Sequence, residues 1–146
     1  MQWPEQGTGG PMMAPRFAPQ AYQDMQVLSA DPRELVILLC QALVRNLVRA
    51  GNAMRQRDYE AKSAAIVRAQ QILSELICSL NDEVGGELAL RLRDLYAHLQ
   101  LQLVDVDLQD DQDRLAHVTE IATKLVEAWE EALKRCRHQE QQQRVG

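Results

Sequence analysis

The stretch that decides the fold runs from Leu88 to Leu108 and reads LALRLRDLYAHLQLQLVDVDL. Its apolar residues recur at helical spacing in two rows, which point about 180° apart at about 100° per residue. One row consists of Leu88, Leu92, Leu95, Leu99, Leu103 and Val106, and the other of Leu90, Ala97, Leu101, Val104 and Leu108. A helix packed on a single core buries one row. The second row is therefore predicted to meet another element, a partner protein or water.

A helix start precedes this stretch at Asp31, Pro32 and Glu34. Asp31 can cap free backbone N–H groups, Pro32 suits the first helical position and Glu34 can complete a capping box. The helix is predicted to end near Met54. Its core row consists of Leu35, Leu39, Leu43, Leu47 and Met54. A second apolar side lies roughly opposite that row and is made of Ile37, Val44 and Val48.

Two further helices flank the quoted stretch. Asp58 is predicted to cap the first of them, which ends near residue 80. Asp110 or Asp111 is predicted to cap the second, which runs to about residue 137. The glycines at 85 and 86 loosen the start of the helix between them. Four helices of about 22–26 residues with short connections must pack antiparallel, so the sequence predicts an all-α, antiparallel four-helix bundle.

The two ends of the chain differ in composition from the bundle. Residues 1–19 contain four prolines and three glycines and are predicted to form a flexible tail. A short extra helix is expected over about 20–28, and residues 139–146 are expected to fray. Residues 20–138 are then a single helical domain. The N-terminal segment, with Tyr22, Val27 and Leu28, is expected to cover part of the second apolar side of the first long helix.

Composition narrows the function classes. A net charge of −5 gives nucleic acid no electrostatic reason to bind. No apolar run reaches the ~18 residues of a membrane span, and no basic, apolar leader opens the chain, so a cytoplasmic protein without membrane insertion is expected. The three cysteines, Cys40, Cys78 and Cys136, have no paired spacing and are predicted to be free, buried thiols.

The sequence lacks the patterns of an active site. The histidines at 98, 117 and 138 have no second ligand at metal-binding spacing, and no glycine-rich phosphate loop is present. We therefore expect no metal, no cofactor and no enzyme activity. A histidine phosphotransfer or signalling bundle is an alternative of a different class. Such domains usually follow the histidine with a basic and a small residue, whereas leucine and glutamine follow His98.

Short motifs follow one another in a recognisable order between residues 21 and 133. They are AYQ at 21–23, VLSADPREL at 27–35, AQQILSEL at 69–76, SLN at 79–81, GGELA at 85–89 and LY at 95–96. In this order and spacing the chain resembles the flagellin export chaperones of bacterial flagellar type III secretion. The pattern departs from that family at Cys40-Gln41-Ala42, where members often have Tyr-Asp-Gly. It departs again at Leu90, Ala97 and Leu101, where members are often polar.

The resemblance implies a helical bundle that holds the disordered C-terminal segment of flagellin, prevents premature polymerisation and delivers the subunit to the export gate. It also implies that an N-terminal tyrosine, matched by Tyr22, covers part of the binding surface before flagellin arrives. Together, the apolar pattern and the resemblance predict partner contacts at Tyr22, Val27, Leu28, Ile37, Val44, Val48, Leu90, Ala97, Leu101, Val104 and Leu108. The outer leucines could instead bind a co-chaperone or export-gate components, or form a weak homodimer.

Overall fold

The computed structural model describes residues 31–83 and 85–145, which form four α-helices. The helices are α1 (Pro32–Arg55), α2 (Tyr59–Glu83), α3 (Gly86–Gln109) and α4 (Gln112–Val145). This confirms the expected all-α class and the number of long helices. The predicted tail at 1–19 and the short helix at 20–28, with Tyr22, Val27 and Leu28, lie outside the described residues.

Aspartate side chains start three of the helices, as the sequence predicts. The Oδ1 atom of Asp31 accepts a hydrogen bond from the backbone N–H two residues on, at 2.9 Å. Asp58 and Asp111 each accept one from the N–H three residues on, at 3.1 and 3.0 Å. Asp110 instead ends α3 in the left-handed conformation, with φ 52°. Of the two candidate caps for α4, Asp111 is therefore the one that caps it.

Contacts between the helices establish an antiparallel ring in which α1 packs on α2 and α4, and α3 packs on α2 and α4. The side-chain amide of Gln70 in α2 donates to the carbonyl oxygen of Gln100 in α3 at 2.9 Å. At one end of the molecule, Arg33 near the start of α1 pairs with Glu140 near the end of α4 at 3.0 Å. The long helices therefore alternate in direction around one core.

The buried face of α3 is centred on Tyr96, Leu99 and Leu103, all fully buried. The Tyr96 hydroxyl accepts a hydrogen bond from the Trp129 indole at 3.4 Å. The sequence placed Leu88 in the core row, and that prediction is wrong, because Leu88 is 57% exposed. Leu88 lies in the first turn of α3, at the end of the bundle, whereas Val106, five turns further along the same face of the helix, is fully buried.

Helix α4 continues to Val145, so the expected fraying after residue 138 is not observed in the described chain. Glutamine, glutamate and arginine dominate this segment and all favour helix. The Arg33–Glu140 ion pair also attaches it to α1. No helix in the described chain has the length and apolar character needed to cross a membrane.

All three cysteines are free, as expected, but their burial differs from the prediction. Cys40 is fully buried, and this burial raises the pKa of its thiol to about 12. Cys78 and Cys136 are exposed. Cys78 lies on the outer side of α2, and Cys136 lies on the far part of α4, where α4 has no buried residue beyond Leu125. Helical spacing alone cannot show where along a helix its core contacts stop.

Candidate partner-binding surface

The second apolar row of α3 lies on the outside of the bundle. Leu90, Leu101 and Leu108 are 58%, 68% and 76% exposed, and Val104 is 46% exposed. Ala97 is half-buried between them. This set of five, called the outer row below, extends over roughly 27 Å at the α-helical rise of about 1.5 Å per residue. The prediction of an apolar face opposite the core is therefore confirmed for α3.

Val67 of α2 continues the outer row across the groove between α2 and α3. The hydrogen bond from Gln70 to Gln100 sets the register of this antiparallel pair. Val67 precedes Gln70 by three residues and Val104 follows Gln100 by four, so the two valines lie at the same level. Val67 is 52% exposed. Helical spacing does not predict its role, because Val67 stands alone on an otherwise polar face of α2 and the register of the two helices is not known from the sequence.

Tyr59 lies at the level of the last turn of α3 and is half exposed. Its ring stacks on the Lys62 ammonium, with 5.6 Å between Nζ and the ring centroid. Lys62 in turn donates to the backbone oxygen of Asp107 at 2.9 Å, next to Leu108. Tyr59 and Val67 thus widen the outer row into what we call the outer apolar surface, composed of Tyr59, Val67, Leu90, Ala97, Leu101, Val104 and Leu108.

Lys62 fixes the end of this surface. Its buried ammonium lies 3.1 Å from the Asp107 carboxylate and also pairs with Asp110. Ser63 donates to the same Asp107 oxygen at 2.8 Å. Burial disfavours both charged forms, but these bonds outweigh it, so the pKa of Lys62 is raised and that of Asp107 is lowered. The start of α2 is therefore held to the end of α3 beneath Leu108.

The second apolar side predicted for α1 is mostly internal. Ile37 is 9% exposed and lines a groove with Leu133 of α4. Val44 is half-buried and packs against the core. Val48 is 47% exposed, beside α4. The expectation that Ile37 and Val44 form a free outer side is therefore corrected. Helix α1 packs more extensively on its two neighbours than α3 does, so the arc it buries is wider than one row.

The histidines His98, His117 and His138 are exposed. Among the described residues, no group of three or more histidine, cysteine, aspartate or glutamate side chains is arranged to hold a metal ion. The feature that stands out in the part of the chain that the structure describes is the exposed apolar surface on α2 and α3.

Residues 15–136 match the family model described as flagellar protein FliS. A flagellar secretion chaperone FliS from Campylobacter jejuni is 33% identical over 120 residues, covering 82% of this chain and 93% of that protein. Its counterpart from Salmonella typhimurium is 30% identical over 122 residues, covering 83% and 90%. The Bacillus subtilis counterpart is 30% identical over 113 residues, covering 77% and 84%. The chain therefore belongs to the FliS family, which is a family of flagellar secretion chaperones and not of enzymes.

Proposed function

We propose that this chaperone acts in the cytoplasm, where it binds the disordered C-terminal segment of flagellin on its outer apolar surface. By covering that segment it prevents premature polymerisation and delivers the subunit for flagellar type III secretion. The observation that carries the proposal is the outer row, in which Leu90, Leu101, Val104 and Leu108 are all about half exposed or more. A folded domain of a flagellar secretion chaperone thus keeps a regular apolar stripe available.

The shape of the surface favours a helical client. Regular apolar patches of this kind mark interaction sites more often than scattered single leucines do. A client helix with apolar residues at i, i+4, i+7 and i+11 matches the spacing of Ala97, Leu101, Val104 and Leu108. Val67 provides the far wall of the groove between α2 and α3. The client segment would therefore lie along this groove, with its apolar side chains on both walls.

The exposed fractions limit the affinity that this surface can supply. Together the side chains of Val67, Leu90, Leu101, Val104 and Leu108 expose the equivalent of roughly three whole side chains. Covering them gains about 5–9 kcal/mol in gross terms. Ordering the client costs about 2–5 kcal/mol, and lost rigid-body freedom costs more. Tight binding therefore needs additional contacts, which we assign to Val48. The N-terminal residues Tyr22, Val27 and Leu28 instead cover part of the surface until the client replaces them.

A calorimetric titration of the full chain with the C-terminal segment of a flagellin from the same cell tests the proposal. We expect saturable binding with a negative heat-capacity change and little dependence on salt, because apolar contacts dominate. Binding that is absent, or that weakens steeply as salt is added, would contradict an apolar docking mode. Light scattering on the free protein provides the control, since a stable oligomer that covers the outer row would leave no site for a client.

A further inference from the structure

A second groove, separate from the outer apolar surface, lies between α1 and α2. It encloses about 400 Å³ and is lined by side chains of both helices. Ala53 of α1 and Ala61 and Ala64 of α2 are among the lining residues. Their short side chains allow the backbone of a bound segment to approach closely. The groove lies along the side of α2 that faces α1. The side of α2 that faces α3 is a different one and carries Gln70.

Asn46 lines the groove, and the oxygen of its side-chain amide has no hydrogen-bond donor among the described residues. The side chain is 6% exposed, and its Nδ2 donates to the carbonyl oxygen of Ala42 at 2.8 Å. The Oδ1 atom is buried and accepts no hydrogen bond within the described part of the chain. A buried acceptor without a donor is costly, and an apolar side chain of the same size would avoid that cost. The unpaired Oδ1 therefore points to a donor that a bound segment supplies.

Two arginines give the groove a positive charge in a protein whose net charge is −5. Arg49 of α1 and Arg68 of α2 both line it, and both are exposed. Neither forms an ion pair among the described residues. The carboxylate of Asp58, which also lines the groove, already accepts a hydrogen bond from the backbone at the start of α2. Two arginines on opposite walls are suited to carboxylates of an incoming chain.

We propose that this groove binds an acidic segment of a partner protein. Its carboxylates pair with Arg49 and Arg68, and one of its N–H or O–H groups donates to Asn46 Oδ1. The site does not depend on the outer apolar surface, because the two lie on different sides of α2. The chaperone therefore holds two segments at once, one through apolar contacts and one through charge.

A labelled peptide of repeating Glu-Ser-Ala is the probe, and fluorescence anisotropy with the full chain is the assay. We expect binding that weakens as salt is raised, because exposed charges are screened. The double variant Arg49→Gln/Arg68→Gln should bind at least roughly tenfold more weakly, since each lost hydrogen bond involves a charged group. The matched double variant Lys124→Gln/Lys134→Gln removes the same charge from exposed positions of α4, outside this groove, and should bind like the parent protein.

Asn46→Leu tests the amide separately. It should weaken peptide binding several-fold while leaving the thermal midpoint unchanged or higher, because the unpaired acceptor is gone. Three results would overturn the proposal: no binding of the peptide, equal weakening by both double variants, or equally tight binding of an oligodeoxynucleotide of the same charge. The two double variants test the proposal even if Asn46→Leu fails to fold, since they change only exposed residues.

The two sites are distinguished with the same proteins. Leu101→Glu should keep its affinity for the acidic peptide, and Arg49→Gln/Arg68→Gln should keep its affinity for the flagellin segment. If only the acidic-peptide titration fails, the groove between α1 and α2 is not a binding site for acidic segments, and the flagellin proposal stands. If only the flagellin titration fails, the outer apolar surface is not a flagellin site, and the proposal for the groove between α1 and α2 stands.

Discussion

Leu101→Glu tests the outer apolar surface most directly, because it changes the middle of the outer row. Leu101 is 68% exposed in the free protein, so a bound client covers about two thirds of its side chain. Losing that contact costs about 1–2 kcal/mol. Covering a glutamate with an apolar client without a partner adds a penalty of about 1–3 kcal/mol. The dissociation constant should therefore rise by a factor of roughly thirty to several thousand.

The same substitution should hardly change the free protein. Changes at exposed helix positions usually alter the free energy of unfolding by about 0.5 kcal/mol or less. A glutamate at 101 faces Asp105 one turn on, which adds a repulsion of a few tenths of a kcal/mol. The thermal midpoint should therefore fall by no more than about 3 °C. Calorimetric titration and thermal unfolding of one protein batch measure both quantities.

Leu88→Glu is the matched control for this experiment. Leu88 has a similar exposure, 57%, and lies in the same helix, but on the side opposite the outer row. It should leave client affinity within about twofold of the parent protein. The reasoning is refuted if Leu101→Glu binds as tightly as Leu88→Glu. It is refuted equally if Leu101→Glu loses many degrees of thermal midpoint, which would place Leu101 in the core.

Three other measurements test further parts of the account. Lys62→Met should lower the urea unfolding free energy by about 1–3 kcal/mol, because two carboxylates and a backbone oxygen lose their donor; an unchanged urea midpoint would show that the ammonium contributes nothing net. The lowered pKa of Asp107 stabilises the fold above the ordinary aspartate pKa of about 4, and this stability is lost as the pH falls through the folded value. Asp107→Asn should therefore flatten the acid part of a stability-versus-pH curve, whereas a curve as steep as that of the parent protein would assign the acid loss to other carboxylates. Tyr22→Ala should raise flagellin affinity modestly or lower the stability of the free protein, and neither change would be seen if the N-terminal segment covers no part of the site.

Local spacing was enough to predict the outer row, and the reason is geometric. Leu90, Leu101 and Leu108 share a face of any straight helix, whatever lies around it. The helix starts at Asp31 and Asp58 are local in the same way, because each cap bonds to a backbone group within three residues. Features of this kind are encoded within one or two turns of chain and need no knowledge of the neighbouring helices.

The errors concern residues whose environment is decided by another helix. Ile37 lies opposite a core row and reads as exposed, but α4 covers it. Leu88 fits the core row by spacing, but it lies in the first turn of α3, at the end of the bundle, where the neighbouring helices do not cover it. Val67 belongs to the outer apolar surface, but this can be recognised only when the Gln70–Gln100 hydrogen bond gives the register of α2 and α3. The part of a helix surface that its neighbours cover depends on the position of that helix in the ring. This position cannot be read from a single sequence.

The ion pair between Arg33 and Glu140 has a topological consequence. It brings the beginning of the first long helix beside the far portion of the last one, at the pole away from Lys62. A short linker could therefore join these two places, and the chain could be opened at the tight turn between α1 and α2 instead. Such a circularly permuted protein would retain all four helices and their neighbours. The arrangement of the bundle thus does not require that α1 be made first.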